Sequence, residues 1–247
     1  MNCKVMGIVN VTPDSFSDGG QFFRPEEAIR RAKNLIAEGA DIIDLGGEST
    51  RPGATPIGWE EEWSRIEPVL TGLTSSVSRL KSFKISIDTY HPETAKRAIE
   101  AGVNIINCVY VEPIQEMVKL LEGNDVELVV PWRLGDEDIR QKTEDENIAN
   151  RLYFDPMIGF NTTREEDLAL LRSIPELAKK GRVLVGASRK RIVKKLVGEK
   201  GAVGKNIGGN VAIAVWAAMN GASVVRVHDV KETVQALRVV ECLKSNA

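Results

Sequence analysis

The sequence predicts an α/β fold, a (β/α)8 TIM barrel built as a single domain over residues 1–247. Three observations carry that reading. Eight short runs rich in Val and Ile recur along the chain, amphipathic stretches lie between most of them, and 247 residues is the length that eight βα units need. The strand candidates are Val5–Val9, Ile42–Leu45, Lys84–Ile87, Ile105–Val109, Val126–Val130, Leu152–Phe154, Val183–Val185 and Val224–Val227. Their unbroken apolar character suits strands buried on both faces of a parallel sheet. Pro25–Glu38 reads as the first helix, with Pro25 near its first turn and Gly39 just past its end. Trp59–Leu70, Pro92–Ala101, Ile114–Leu121, Glu165–Lys180, Gly208–Asn220 and Lys231–Leu243 follow the same plan. A charged stretch, Asp136–Asn150, has only Ile139, Ile148 and Ala149 as apolar anchors and predicts a short, exposed helix. A doubly wound open sheet is the alternative fold, but its G-x-G-x-x-G fingerprint after the first strand is absent.

Composition narrows the function. Lys and Arg number 33 against 35 Asp and Glu, a net charge of −2, without the basic excess of a nucleic-acid-binding module. No apolar run approaches the ~18 residues of a membrane span. Met1-Asn2-Cys3-Lys4-Val5 runs straight into a strand pattern with no secretory signal, so a cytoplasmic protein is expected. The three cysteines, Cys3, Cys108 and Cys242, are widely spaced, which predicts free thiols rather than a disulfide framework. Two histidines, His91 and His228, do not make a His-rich metal site.

In a barrel of this kind chemistry gathers at the C-terminal ends of the strands. There the sequence places Asn10 after strand one, Gly46-Gly47-Glu48-Ser49-Thr50-Arg51-Pro52-Gly53 after strand two, Asp88-Thr89 after strand three, and Asn107 in strand four. Asp155-Pro156, Ser188-Arg189-Lys190-Arg191 and Arg226-Val227-His228-Asp229 end strands six to eight. Asp88, Asn107 and Asp155 suit a heteroaromatic ring bearing N–H donors. Lys190, Arg226 and His228, with Arg51 and Arg189 near by, read as a cationic rim for a phosphate or diphosphate. Each feature also has a plainer reading. Thr12-Pro13-Asp14-Ser15 is good turn chemistry, Asp88-Thr89 would cap a helix at Pro92, and His91 reads as an exposed or capping residue. The basic run at 188–191 could be a solvated helix start, although basic charge there opposes the helix dipole unless an anion compensates. Polar residues at seven strand ends together exceed what those readings explain.

The segment Ile8-Val9-Asn10-Val11-Thr12-Pro13-Asp14-Ser15-Phe16-Ser17-Asp18-Gly19-Gly20 resembles the first signature of dihydropteroate synthases. Gly39–Ala54 resembles their second, and Ser86–Thr89, Ile105–Asn107, Gly186–Lys190 and Arg226–Val230 fit the rest. The resemblance implies a transferase of folate biosynthesis that condenses 6-hydroxymethyl-7,8-dihydropterin diphosphate with p-aminobenzoate. It implies Asp88, Asn107, Asp155 and Lys190 on the pterin, and Asn10, Arg226 and His228 on the diphosphate, with Mg2+ near Asn10. Thr50, Pro52, Phe160, Ser188 and Lys190 would line the p-aminobenzoate site, which sulfonamides would contest. Asp14, Arg51, Asp88, Asp155 and Lys190 are the implied catalytic set, in a homodimer. Two other readings stand beside it, a pterin-binding paralogue without turnover and a methyltetrahydrofolate-dependent methyltransferase. The sequence departs from the family pattern at Cys108, where Asp is usual, and at Val129–Arg133, where a Met-His-Met-like stretch is usual. It also carries Met157, Asn161 and Thr162 where the family reads Gly, Gly and Lys. These departures fall in the pterin half.

Overall fold

The computed structural model describes residues 2–12, 24–49, 54–77, 83–132, 146–198 and 206–244. Strands β1 (Lys4–Asn10), β2 (Ile42–Gly46), β3 (Lys84–Asp88), β4 (Ile105–Asn107), β5 (Glu127–Pro131), β6 (Leu152–Asp155), β7 (Arg182–Val185) and β8 (Val224–Val227) form a closed parallel barrel in sequence order. Helices α1 (Pro25–Ala37), α2 (Trp59–Val77), α3 (Pro92–Glu100), α4 (Ile114–Lys119), α5 (Glu146–Ala149) and α6 (Arg164–Lys180) connect successive strands from β1 to β7. Two helices, α7 (Arg191–Leu196) and α8 (Ile207–Met219), separate β7 from β8, and α9 (Val230–Lys244) completes the order.

Register and alternation sort the inward side chains into layers drawn in turn from odd and even strands. At the N-terminal end stand Lys4, Lys84, Glu127 and Arg182. Above them lie Ile42, Ile105, Tyr153 and Val224, then Met6, Ser86, Val129 and Leu184, and apart from Ser86 these form one apolar cluster inside the barrel. The next layer, from the four even strands, is Asp44, Asn107, Asp155 and Arg226. The barrel is thus apolar in its middle and polar toward the C-terminal end. Residues of the other parity, among them Ile43, Leu45, Ile87, Ile106, Val130 and Phe154, pack against the helices in the larger outer core.

Element boundaries follow local chemistry with two exceptions, one helix and one strand. Pro25 and Pro92 open α1 and α3, where a missing N–H costs nothing. The helix expected over Trp59–Leu70 continues to Val77, because Leu73 is buried and Gly72 lets Ile29 of α1 approach: a Cβ there would lie 2.3 Å from Ile29 Cδ1. Packing overrides the weak helix propensity of Thr71-Gly72. The strand expected to reach Val109 stops at Asn107. Within Asp136–Asn150 the described part is the short α5, anchored by buried Ile148, and residues 133–145 lie outside the described residues.

Glu127 holds the N-terminal layer together. Its carboxylate takes Lys84 Nζ at 2.5 Å and also bonds Arg182, whose guanidinium stacks 4.0 Å over the Tyr153 ring. Burial would raise the Glu127 carboxyl, but its bonds from Lys84 and Arg182 hold it below the ordinary value. That stability is present above pH ~4.5 and is lost as the pH falls through the depressed value. Glu127→Gln leaves two cations facing each other and is expected to cost ~1–2 kcal/mol, or about 2–8 °C in melting temperature. Thermal melts should show this loss at pH 7 and a shallower decline in acid, with ligand chemistry at the opposite end intact.

Candidate active site

The polar layer is wired through Arg226. Its Nε donates to Asp44 Oδ2 at 2.6 Å and its Nη2 to Asp88 Oδ2 at 2.5 Å. Asp44, fully buried, also accepts from Asn107 Nδ2 at 3.3 Å. Asp155 accepts the backbone N–H of Met157 at 2.7 Å. Lys190, at the N-terminal boundary of α7, reaches across: its Nζ donates to the Ile158 carbonyl at 2.7 Å and stands 4.2 Å from the centre of the Phe160 ring. Asp88, Asn107, Asp155, Lys190 and Arg226 are therefore brought to one place, as the strand-end reading expects.

Arg226 is drawn further in than a cationic rim would have it, because two carboxylates bind it. Strand ends do not reveal Asp44. It sits mid-strand, and the available signal was one carboxylate within the apolar run Ile42-Ile43-Asp44-Leu45, at the parity of Ile42.

Charge in this pocket is unbalanced. Asp44, Asp88 and Asp155 face two cations, Arg226 and Lys190. Burial pushes the Asp88 carboxyl from 3.8 up to about 7, reinforced by Asp44 and Glu62 and opposed by Arg226 and Lys190. Burial also raises Asp155, against Lys190, the Met157 N–H and Arg226. Burial pulls the Lys190 ammonium from 10.5 down to about 8, with Asp155, Asp88 and Asp167 resisting and Arg226 assisting. Burial works against the Arg226 charge, yet Asp44 and Asp88 hold that guanidinium charged above its ordinary value. The Asp44 Oδ1 and Asn107 Oδ1 atoms are buried acceptors without a partner in this structure. A site with surplus carboxylate and unsatisfied acceptors favours a ligand edge that presents N–H donors.

The remaining expected residues surround this floor. Asn10 ends β1 beside Gly46, half-buried. His228 Nδ1 lies 3.2 Å from the buried Ser188 hydroxyl, placing both above the ends of β7 and β8. Arg189 is committed elsewhere: its guanidinium pairs with Asp229 at 2.7 Å, while its backbone N–H donates to Asn210 Oδ1 at 2.9 Å. Thr89 hydrogen-bonds His91 N and Glu62 Oε2, ahead of α3, which leaves Asp88 to the pocket. His91 precedes α3 as read, but its ring bonds Glu48 Oε2 at 3.0 Å and is half-buried. Asp14, Phe16, Thr50, Arg51 and Pro52 lie outside the described residues.

The departures from the family pattern resolve individually. Cys108 packs in the outer core rather than in the pocket, and burial pushes its thiol up to about 12. Trp132 is likewise buried in the outer core. Met157 and Asn161 occupy left-handed backbone at φ 59 and 51, which glycine adopts more readily.

Linkage gives this charge imbalance a measurable sign. The stability contributed by protonated Asp88 is complete below about pH 4 and is lost as the pH rises to about 7, whereas depressed Lys190 returns stability between about pH 8 and 10.5. Asp88→Asn removes the first transition. Its melting temperature relative to wild type is expected to be higher at pH 7.5 than at pH 5, with each ~1 kcal/mol read as about 2–4 °C. Parallel melting curves for the two proteins across that window would place the surplus proton on another group.

A family model described as pterin binding enzyme matches residues 6–150 and 133–228. A dihydropteroate synthase of Streptococcus pyogenes serotype M6 is 35% identical over 259 residues, covering 98% of this chain and 96% of the relative. The structure of Xanthomonas albilineans dihydropteroate synthase with 4-aminobenzoic acid superposes with a TM-score of 0.87 at 36% identity, over 100% of this chain and 95% of that one. The same enzyme in complex with 7,8-dihydropteroate gives 0.82 at 32% identity, covering 100% and 95%. The Yersinia pestis dihydropteroate synthase with a sulfonamide drug complex gives 0.81 at 33%, covering 99% and 95%. On a matching barrel, a matching family model and full-length identity above 30%, the chain belongs to the dihydropteroate synthases, pterin-binding transferases of folate biosynthesis.

Proposed function

We propose that this pocket condenses 6-hydroxymethyl-7,8-dihydropterin diphosphate with p-aminobenzoate to give 7,8-dihydropteroate and diphosphate, with residue roles as follows. The carrying observation is the polar layer Asp44, Asn107, Asp155 and Arg226, capped by Asp88 and Lys190. Asp88, Asp155 and the Asn107 amide oxygen accept from the N–H groups of the pterin ring, and Lys190 donates to it. In the reaction the bond between the pterin methylene carbon and the diphosphate oxygen breaks as the amine nitrogen of p-aminobenzoate bonds to that carbon. The amine then releases its proton. Asp88 and Asp155 favour positive charge developing on the ring, and Arg226 and His228 hold the departing diphosphate. Phe160, Ser188 and Lys190, with Thr50 and Pro52, frame p-aminobenzoate, and Asp14 and Arg51 join the catalytic set. Sulfonamides compete for that frame.

The donor set at Asn10 fits Mg2+. A single amide oxygen at a strand end beside a diphosphate site suits a hard cation that takes most of its ligands from phosphate and water. When bound, Mg2+ neutralises charge on the diphosphate. A cytoplasmic location is part of the same reading, supported by Cys3 and Cys108 standing as thiols outside any disulfide.

The test is product formation from both substrates with Mg2+, followed by chromatography. Lys190→Ala and Arg226→Ala are each expected to lower kcat/KM about 10²–10³-fold, and a sulfonamide should raise the apparent KM for p-aminobenzoate alone. Calorimetric binding of the pterin diphosphate without product would replace this reading with the binding-only paralogue.

We also propose a homodimer formed on α7 and α8, where Leu196, Val197, Ile207, Trp216 and Met219 are exposed apolar side chains. Light scattering on the purified chain should give twice the monomer mass, and Trp216→Asp should shift it toward monomer. A monomeric wild type at tens of micromolar would overturn the dimer.

A further inference from the structure

The connection from β6 to α6 is bent around Lys190. Its backbone turns left-handed at every second residue: Met157 at φ 59, Gly159 at φ 79 and Asn161 at φ 51. This folding aims the Ile158 carbonyl and the Phe160 ring at the same ammonium. Gly159 lies against the lysine stem, where a Cβ would come within 2.9 Å of Lys190 Cδ. Non-glycine residues at two of these three positions, Met157 and Asn161, stay there only where something outside the segment holds it.

Asp167 does the holding. It lies in the first turn of α6, 2% exposed, and its Oδ1 accepts both the Gly159 N–H at 2.7 Å and the Thr162 hydroxyl at 2.6 Å. It is not needed to start the helix. Thr163 and Glu166 form a complete capping box there, which leaves the Asp167 carboxylate turned back onto the connection. We infer that Asp167 is a positioning residue for Lys190: by gripping Gly159 and Thr162 it fixes the Ile158 carbonyl and the Phe160 ring, and through them the place of the ammonium beside Asp155. The inference rests on the reading of Lys190 as a group that meets substrate. The charged groups facing Lys190 are Asp155 of β6, Asp88 of β3, Arg226 of β8 and Asp167 itself, and the Asp167 carboxylate favours the ammonium form.

A double-mutant cycle on kcat/KM, run with Mg2+ and both substrates, tests this. Asp167→Ala is expected to lower kcat/KM about 10–100-fold in the wild-type background, the scale of a displaced catalytic group, and less than about twofold in the Lys190→Ala background. Asp167→Asn keeps the accepting oxygen and should stay within about threefold of wild type, while the alkaline limb of its pH profile moves to lower pH because a carboxylate near the ammonium is gone. Equal losses in both backgrounds, or a lower melting temperature with unchanged kcat/KM, would overturn the inference and leave Asp167 a purely structural residue. Should Asp167→Ala not fold, Thr162→Ala enters the same cycle, with a smaller loss that must again vanish beside Lys190→Ala. If the wild type itself shows no turnover, the proposed reaction fails, and the same cycle on calorimetric affinity for the pterin diphosphate decides the role of Asp167 separately.

Discussion

The polar layer at the C-terminal end of this barrel is organised by one guanidinium. Arg226 enters from β8, the last strand, and bonds Asp44 on β2 and Asp88 on β3. Burying three carboxylates and two cations costs several kcal/mol per charge unless partners satisfy them, and removing one member leaves an uncompensated charge. The Arg226 pairing also ties the last strand of the barrel to the second and third across its interior. The layer beneath is apolar except for Ser86, so the network cannot sink toward the middle of the barrel. Asp44 Oδ1 and Asn107 Oδ1 remain in it as buried acceptors without a partner.

Much of this is legible in the sequence. Val/Ile runs place all eight strands, because a parallel barrel buries both faces and leaves few polar positions to confuse the pattern. The strand-end rule also points to Asp88, Asn107, Asp155, Lys190 and Arg226, which the structure brings together. Asp44 escapes because β2 runs two residues further, to Gly46, so this member of the same layer as Asn107 and Asp155 reads as an interruption in mid-strand rather than as a strand end. Asp167 escaped for another reason. An acidic residue in the first turn of a helix is the ordinary complement of the dipole, and only the backbone path of 157–162 shows that its carboxylate points away from the helix. The sequence shows Arg226 as a cation at a strand end but not the carboxylates of Asp44 and Asp88 that draw it inward, because they arrive from strands far away in the chain.

The two ends of the barrel use charge to opposite purposes. At the N-terminal end, Glu127 is bonded by Lys84 and Arg182, and its carboxyl is held below its ordinary value. At the C-terminal end, Asp88 and Asp155 are raised by burial that their cationic partners do not fully offset. A carboxyl held low is already satisfied and adds stability. Carboxyls held high are strained toward neutrality and gain from a ligand that donates hydrogen bonds to them, which is the usual mark of a site set up for binding or catalysis.

The same distinction locates the cost of the departures from the family pattern. Cys108 and Trp132 pack in the outer core, away from the polar layer. Met157 and Asn161 are different, because non-glycine residues at φ 59 and 51 each store about 1 kcal/mol of backbone strain. That strain sits in the segment that presents the Met157 N–H to Asp155 and the Ile158 carbonyl to Lys190. Relaxing it toward ordinary backbone would withdraw both contacts together, loosening a carboxylate and an ammonium on the same side of the pocket. Side chains at 157 and 161 therefore make the connection more dependent on its external anchor than glycines would, and the buried carboxylate of Asp167 with its two short hydrogen bonds is the anchor the fold supplies.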